Sequence, residues 1–338
     1  MDITEEYRQI RENAGAFDAS SRSKIEIVGP DSAAFLHNLS TNDIRNLPAG
    51  AGCETFLTNA KAKVVAFGCL YHLPSQDQTD TFWLDLDPGA GESSIQHLNK
   101  FLISEQVEII DRTSEFSQLY LLGPKARDII AKSLGTEVGN LSEWECKLFS
   151  GPESLPCQVR FHHRLVVNCF EVIFPAAGKD MIWNLLTKLG AMPVGPETFE
   201  IIRVEAGIPV YEIDIDENVL APEVGRSAIS YSKGCYLGQE TIIRIRDLGH
   251  VNRMLRGLKI LPERAGSVSD RREAKIFHDG KEVGQVTSSV KSPRLGIIAL
   301  AYLHRSCIDP GTRVQVAVAA DRFDAEVSSL PFDKSPNH

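Results

Sequence analysis

Residues 233–240 read Lys-Gly-Cys-Tyr-Leu-Gly-Gln-Glu. Cys235 lies between Gly234 and Gly238, with Lys233 two residues before it and Glu240 five after. Glycine adopts backbone conformations that other residues avoid, so this stretch can expose a thiol on a tight loop. Lys233 supplies positive charge, which favours thiolate over thiol. Gln239 and Glu240 are placed to fix the loop or to meet a ligand. The alternative is a turn holding a small buried cysteine. A helix starting after Gly238 would add its dipole to the thiol's surroundings. Against that, Ile243 and Ile245 alternate with Arg244 and Arg246, which reads as a strand over 241–246. Both readings stay open.

Other groupings carry less chemistry. Asp214, Asp216 and Asn218 start like a calcium loop, but Val219 replaces the turn glycine and Gly225 stands where a bidentate glutamate is required. His162 and His163 are adjacent in a strand-like stretch, so their side chains point to opposite faces and do not form a metal pair. The seven cysteines (53, 69, 146, 157, 169, 235 and 307) include no Cys-x-x-Cys, which excludes a local zinc or iron–sulfur ligand set and a disulfide framework. No metal site is expected, and no P-loop or dinucleotide fingerprint occurs. Lys233, Arg244, Arg246, Arg253 and Arg256 give one segment a basic bias, which can attract an anionic tail or simply solvate a face.

The elements that must position these residues show an internal echo. Lys24–Pro30 and Gln118–Pro124 each read as a short strand ending in Gly-Pro, followed by an amphipathic helix that sets Phe35 and Leu36 against Ile129 and Ile130. Chance or two related α/β halves would both give this match. Further strands are expected at 51–58, 64–72, 81–86, 107–111, 144–149, 157–161 and 168–174, and helices at 92–102, 179–189 and 197–206. Residues 77–80 read as a hairpin loop. This mixture without regular alternation points to an α+β fold. Beyond residue 250, short strands at 251–260, 273–278, 282–288, 296–302, 313–319 and 323–328 suggest a small antiparallel β-barrel, with a loop at 262–270.

The chain has 338 residues, 43% hydrophobic and 24% charged, which suits a globular protein of two or three domains. A net charge of -9 argues against general nucleic-acid binding. The acidic start, Asp2 to Glu6, lacks the marks of a secretory or transit peptide, and no apolar run is long enough to span a bilayer. A cytoplasmic protein without a membrane partner is expected.

The octapeptide at 233–240 resembles the signature of the YgfZ-type folate-binding proteins, relatives of the glycine-cleavage T-protein (aminomethyltransferase) whose mitochondrial members help build iron–sulfur clusters. The resemblance extends along the chain: Ile27-Val28-Gly29-Pro30-Asp31, Leu39-Ser40-Thr41-Asn42-Asp43, Glu205-Ala206-Gly207-Ile208-Pro209 with Asp214-Ile215, Val283 to Ser288, Ser292-Pro293 and Pro310-Gly311-Thr312. It implies a T-protein-like three-domain arrangement: a first α/β unit over 1–112, a second over 113–250 and a barrel over 251–338. It implies tetrahydrofolate, or a one-carbon derivative, as cofactor, with Glu205 accepting the paired N–H edge of the pterin. Phe199 matches a position where family members place an aromatic ring against the folate. Lys233, Gly234, Gln239 and Glu240 complete the implied binding set, and Cys235 is the functional thiol. Arg22 falls near a second aromatic position, a departure from the pattern. A larger departure lies at Ala66 and Phe67, which match the acidic pair of T-proteins that transfer an aminomethyl-derived carbon. Neither can move a proton.

The resulting expectation is a folate-binding protein that supports iron–sulfur cluster assembly or repair, with iron–sulfur proteins or assembly factors as clients and without aminomethyl transfer. Two alternatives stand beside it. One is a folate-dependent one-carbon transferase or demethylase, the form any enzymatic activity would take. The other is a folate-independent interaction scaffold.

Overall fold

The computed structural model describes residues 2–74, 80–261, 273–318 and 321–333, so most of the loop expected at 77–80 and all of that at 262–270 lie outside the described residues. The chain forms two compact units. One comprises residues 1–163, 167–196 and 227–239, the other residues 164–166, 197–226 and 240–338. No helix among the described residues is long and apolar enough to cross a membrane.

In the first unit the chain runs α1 (Ile3–Glu12), β1 (Gly15–Asp18), β2 (Ser23–Val28), α2 (Ser32–Leu39), β3 (Gly52–Thr58), β4 (Val64–His72), β5 (Thr81–Leu86), α3 (Ala90–Asn99) and β6 (Glu108–Asp111). It continues with β7 (Phe116–Leu122), α4 (Ala126–Leu134), α5 (Thr136–Gly139), β8 (Cys146–Ser150), β9 (Pro156–His162), β10 (Cys169–Pro175), α6 (Lys179–Lys188) and β11 (Met192–Val194). The sheets have the orders β3-β4-β5-β2-β6 and β8-β9-β10-β7-β1-β11. Aligned on their central strands these are the same topology: β2 and β7 each end in Gly-Pro, each leads into a helix, and each pairs antiparallel with the third strand that follows it. Gly29 (φ 141°) and Gly123 (φ 114°) occupy matching turns. The echo in the sequence is therefore a structural repeat. One asymmetry interrupts it: β1, from the start of the chain, inserts between β7 and β11, antiparallel to the former and parallel to the latter.

Strand alternation separates two environments in the second half. Leu119, Leu121, Val159, Phe161, Phe170, Val172 and Phe174 pack with Ile129, Ile130, Ile182 and Leu186 of α4 and α6. The intervening residues carry charge toward the first half. There Arg160 Nη1 lies 3.1 Å from Asp85 and 3.2 Å from Glu171, His162 bonds Glu171 at 2.9 Å, and Gln118 donates to Asp85 at 2.6 Å. Arg22 pairs with Asp85 and Asp87 at 2.5 and 2.8 Å. Burial opposes ionisation of Glu171, but the His162 hydrogen bond and the nearby Arg160 and Arg22 outweigh it and hold the carboxyl well below its usual range. Each charge here has a partner, and removing one would strand the other. The structure thus gives Arg22, which breaks the expected aromatic pattern, a structural ion pair. His162 and His163 do face opposite ways, one buried and one exposed.

The second unit holds α7 (Pro196–Glu205, whose first residue belongs to the other unit), α8 (Ala221–Val224) and α9 (Gln239–Leu248, likewise), followed by β12 (Arg253–Ile260), β13 (Lys275–His278), β14 (Lys281–Ser292), β15 (Gly296–His304), β16 (Arg313–Val318) and β17 (Asp321–Ser328). These six strands close as an antiparallel barrel, β12-β15-β14-β13-β16-β17. Ile297, Ala299, Ala301 and Leu303 alternate inward along β15, and meet Leu258, Ile276, Val286, Val316 and Val327 in the barrel core.

The strand reading of 241–246 is corrected: this stretch lies within α9. Alternation misled there because Ile242, fully buried, and the part-buried Ile245 stand one helical turn apart.

Candidate functional site

The signature loop belongs to the first unit, and its bonds there start from α2. A helix ends with carbonyls that lack partners within it, and these form the negative end of its dipole. Lys233 reaches that end. Its Nζ donates to the carbonyls of His37 (2.5 Å), Ser40 (2.7 Å) and Asn42 (2.7 Å), using all three of its protons. Burial pushes the ammonium down to about 8, against the nearby Asp43, which favours its charged form. Tyr236, also buried, sets its ring 4.7 Å from the same Nζ.

A second anchor follows within four residues. Leu237 donates its N–H to the Asn38 carbonyl at 2.9 Å and accepts from Thr58 Oγ1 at 2.8 Å. Gly238 has φ 84°, and a Cβ there would stand 2.7 Å from the Asn59 carbonyl oxygen, so no other residue fits this seat. Gln239 closes the loop from inside, N–H to Tyr236 O at 3.1 Å and Nε2 to Lys233 O at 3.4 Å. Upstream, Thr41 Oγ1 donates to Ala228 O at 2.6 Å and Ser230 N to Thr41 O at 2.9 Å. Between the anchors, Gly234 and Cys235 are exposed. Of the two readings of this cysteine, exposed or buried, the structure has the exposed one. Lys233, whose charge was expected to favour the thiolate, directs its ammonium protons to carbonyls.

Around Lys233 stand His37, Asp43, Arg45 and Cys53. Burial first, then the charges of Lys233 and Arg45, lower the His37 pKa, and its Nδ1 accepts from Arg45 N at 3.2 Å. Burial pushes the Cys53 thiol up to about 12. Cys235 differs from it in being exposed.

In the second unit, α7 closes with the amides of Gly207 and Ile208 returning to the carbonyls of Val204 and Arg203. That places Glu205 on the last helical residue, buried, where Ser292 Oγ donates to its Oε1 at 2.5 Å and Arg294 lies 3.7 Å from Oε2. Ser292 Oγ in turn accepts the amides of Arg294 and Leu295 at 3.1 and 3.0 Å. A carboxylate accepts hydrogen bonds at both oxygens, the chemistry that a paired N–H edge requires. Phe199, half-buried on the same helix, is about 120° around it from Glu205, so α7 alone does not put the two on one face. Glu240 is exposed in the first turn of α9.

The seven expected site residues therefore divide. Lys233, Gly234, Cys235 and Gln239 belong to one unit, and Phe199, Glu205 and Glu240 to the other. The basic segment is no single patch: Lys233 is buried, Arg253 pairs with Glu223 at 3.1 Å, and Arg256 donates to Ile308 O at 2.9 Å. Sequence reasoning missed Arg203. Almost fully buried, it bonds Asp214 (2.6 Å), Ile208 O (3.1 Å) and Ser288 (2.8 Å), while Asp214 also accepts from Thr287. This pair joins the Glu-Ala-Gly block to the barrel strand β14, and it accounts for Asp214 better than a calcium loop. Ala66 and Phe67 lie buried in β4, Phe67 stacked on Phe56 with ring centres 4.7 Å apart.

The family model described as the GCVT N-terminal domain matches residues 1–230, and that of the glycine cleavage T-protein C-terminal barrel domain matches residues 253–334. The chain is 28% identical over 326 residues to a chloroplastic putative transferase of Arabidopsis thaliana, covering 95% of this chain and 72% of that protein. It is 28% identical over 344 residues to a probable aminomethyltransferase of Natronomonas pharaonis, covering 98% and 90%. The crystal structure of the glycine cleavage system aminomethyltransferase T from Bartonella henselae is similar with a TM-score of 0.86 at 22% identity, over 98% of this chain and 89% of that one. At that identity the likeness is one of fold.

Proposed function

The chain belongs to the glycine cleavage T-protein family, and on that premise we propose that it is a YgfZ-type cytoplasmic protein that binds tetrahydrofolate and supports iron–sulfur cluster assembly or repair. In this reading Glu205 accepts the N–H edge of the pterin, Phe199 lies against the ring system, and Cys235 is the functional thiol. Bound tetrahydrofolate would supply a carrier for a one-carbon unit. The observation that carries the reading is at β4. Where the resemblance places an acidic pair, Ala66 and Phe67 are core residues, and neither offers a group that holds or moves a proton. The exposed thiol on a doubly anchored loop supports a role that is not aminomethyl transfer.

A second reading, a folate-dependent aminomethyl or methyl transferase, is favoured by the names of the relatives. Anaerobic calorimetric titration with tetrahydrofolate tests the shared premise, with Glu205→Ala as control. Saturable binding weakened by that change is the expected result. A folded protein that does not bind at millimolar ligand would leave only the scaffold. Turnover of an aminomethyl or methylamine donor with tetrahydrofolate, above background, would replace the first reading by the second.

A further inference from the structure

We propose that Lys233 is a positioning residue: by clamping the end of α2 it determines where the Cys235 thiol stands, rather than how readily that thiol ionises. The inference rests on the reading of Cys235 as the functional thiol. An ammonium has three N–H donors, and all three are directed to the carbonyls of His37, Ser40 and Asn42. Lysine is well suited to the end of a helix, where unpaired carbonyls and the negative dipole end coincide. Here it comes from a segment nearly two hundred residues downstream, so the contact fixes that segment.

The second anchor makes the clamp effective. Leu237 is held through both its N–H and its C=O, by Asn38 and Thr58. Only residues 234–236 lie between the anchors, and a span of three residues reaches at most about 10 Å. Tyr236 is packed inward beneath the Lys233 ammonium. Gly234 and Cys235 are then left at the crest, where even a Cβ on Gly234 would meet nothing within 4 Å. The thiol thus has open approach but little freedom of position. A group held this way loses less conformational freedom on meeting a partner than one on a loose loop. The other charged and titratable groups facing the ammonium (His37, Asp43, Arg45 and Cys53) belong to the same scaffold under the loop.

Amide hydrogen exchange and pH-dependent alkylation of Cys235 by iodoacetamide, both on the full chain, test this. Lys233→Met should raise exchange across residues 234–238 by roughly tenfold, as local opening no longer breaks the clamp, while the pH midpoint of alkylation stays at the wild-type value. Thr58→Val retains the ammonium and removes one bond of the second anchor. It should raise exchange at 236–238, again with the midpoint unmoved. If Lys233→Met does not fold, Thr58→Val decides, and unchanged exchange in it overturns the clamp. A midpoint moved upward in Lys233→Met with exchange unchanged would show charge, not position, to be the lysine's contribution. Cys235→Ser separates the premise: full support of iron–sulfur enzymes by that variant would remove the functional-thiol reading, while the exchange results would still decide the clamp.

Discussion

The two halves of the repeat meet one problem in different ways. In the first, the carbonyls around the end of α2 are satisfied by Lys233, from a loop far along the chain. In the second, the carbonyls of Gly139, which ends α5, and of Leu141 are satisfied by Arg127 from the neighbouring α4, whose guanidinium also lies 4.5 Å over Phe161 and 5.3 Å over Phe170. One half is closed on itself. The other is completed by an outside segment, and that segment carries the exposed thiol. The contrast recurs in the equivalent hairpins. The turn after β3 buries Ala62 (φ 61°) against Gly238 of the loop, while the turn after β8 exposes Glu153 (φ 53°) to solvent. At the strand ends the halves agree instead: His72 bridges Leu47 O and Asp80, and His163 bridges Glu143 and Asn168, each within its own half.

The same introduced residue should act unequally in the two halves. Valine in place of Ala62 adds branching to a buried left-handed residue and should cost about 3 kcal/mol. Valine in place of Glu153 meets the same backbone in open solvent and should cost about 1 kcal/mol. Equal shifts in urea denaturation would mean the loop does not load the first turn. Next, Arg127→Met should cost about 2–3 kcal/mol, because it strands carbonyls within a closed half and removes two ring contacts. Lys233→Met should cost only about 1 kcal/mol globally, since local opening lets water reach the freed carbonyls and the expense of burying a charge disappears. A global loss for Lys233→Met as large as that for Arg127→Met would break the contrast.

The smallest effect concerns pH. The hydrogen bond to Glu143 raises the His163 pKa in the folded chain. A base whose pKa is raised by folding stabilises the fold below its unfolded value, and that contribution fades as pH rises through the folded value. The pair is about two-fifths exposed, so less than about 1 kcal/mol is at stake. The NMR titration midpoint of the His163 ring should lie above that of an ordinary histidine and fall in Glu143→Gln. A midpoint that does not respond to that change would show that the second half's histidine has no carboxylate partner in solution.

Much of this architecture was legible in the residues. Gly-Pro after two apolar strands marked the repeat, and regular short strands marked the barrel. The signature loop was found because its glycines and cysteine are side-chain information. Its anchoring was not, because the partners of Lys233 and Leu237 are mostly backbone groups, and a carbonyl at Ser40 or Asn42 looks the same in every sequence. Arg203 with Asp214 was missed for a related reason: eleven residues apart, the two meet only once the turn at Gly207 has folded. The helix at 239–248 was obscured because isoleucines at 242, 243 and 245 fit a period of two nearly as well as one of 3.6.

The insertion of β1 has a consequence for how the chain is made. It lies at residues 15–18, yet its two neighbours, β7 and β11, end at residues 122 and 194, so it is made well before either. At about 5–20 residues per second, β1 waits roughly 10–35 s before its second partner exists. The Lys233 clamp forms later still. Each half of the repeat is therefore made before a segment that completes it, β11 for the strand β1 and the Lys233 loop for the end of α2.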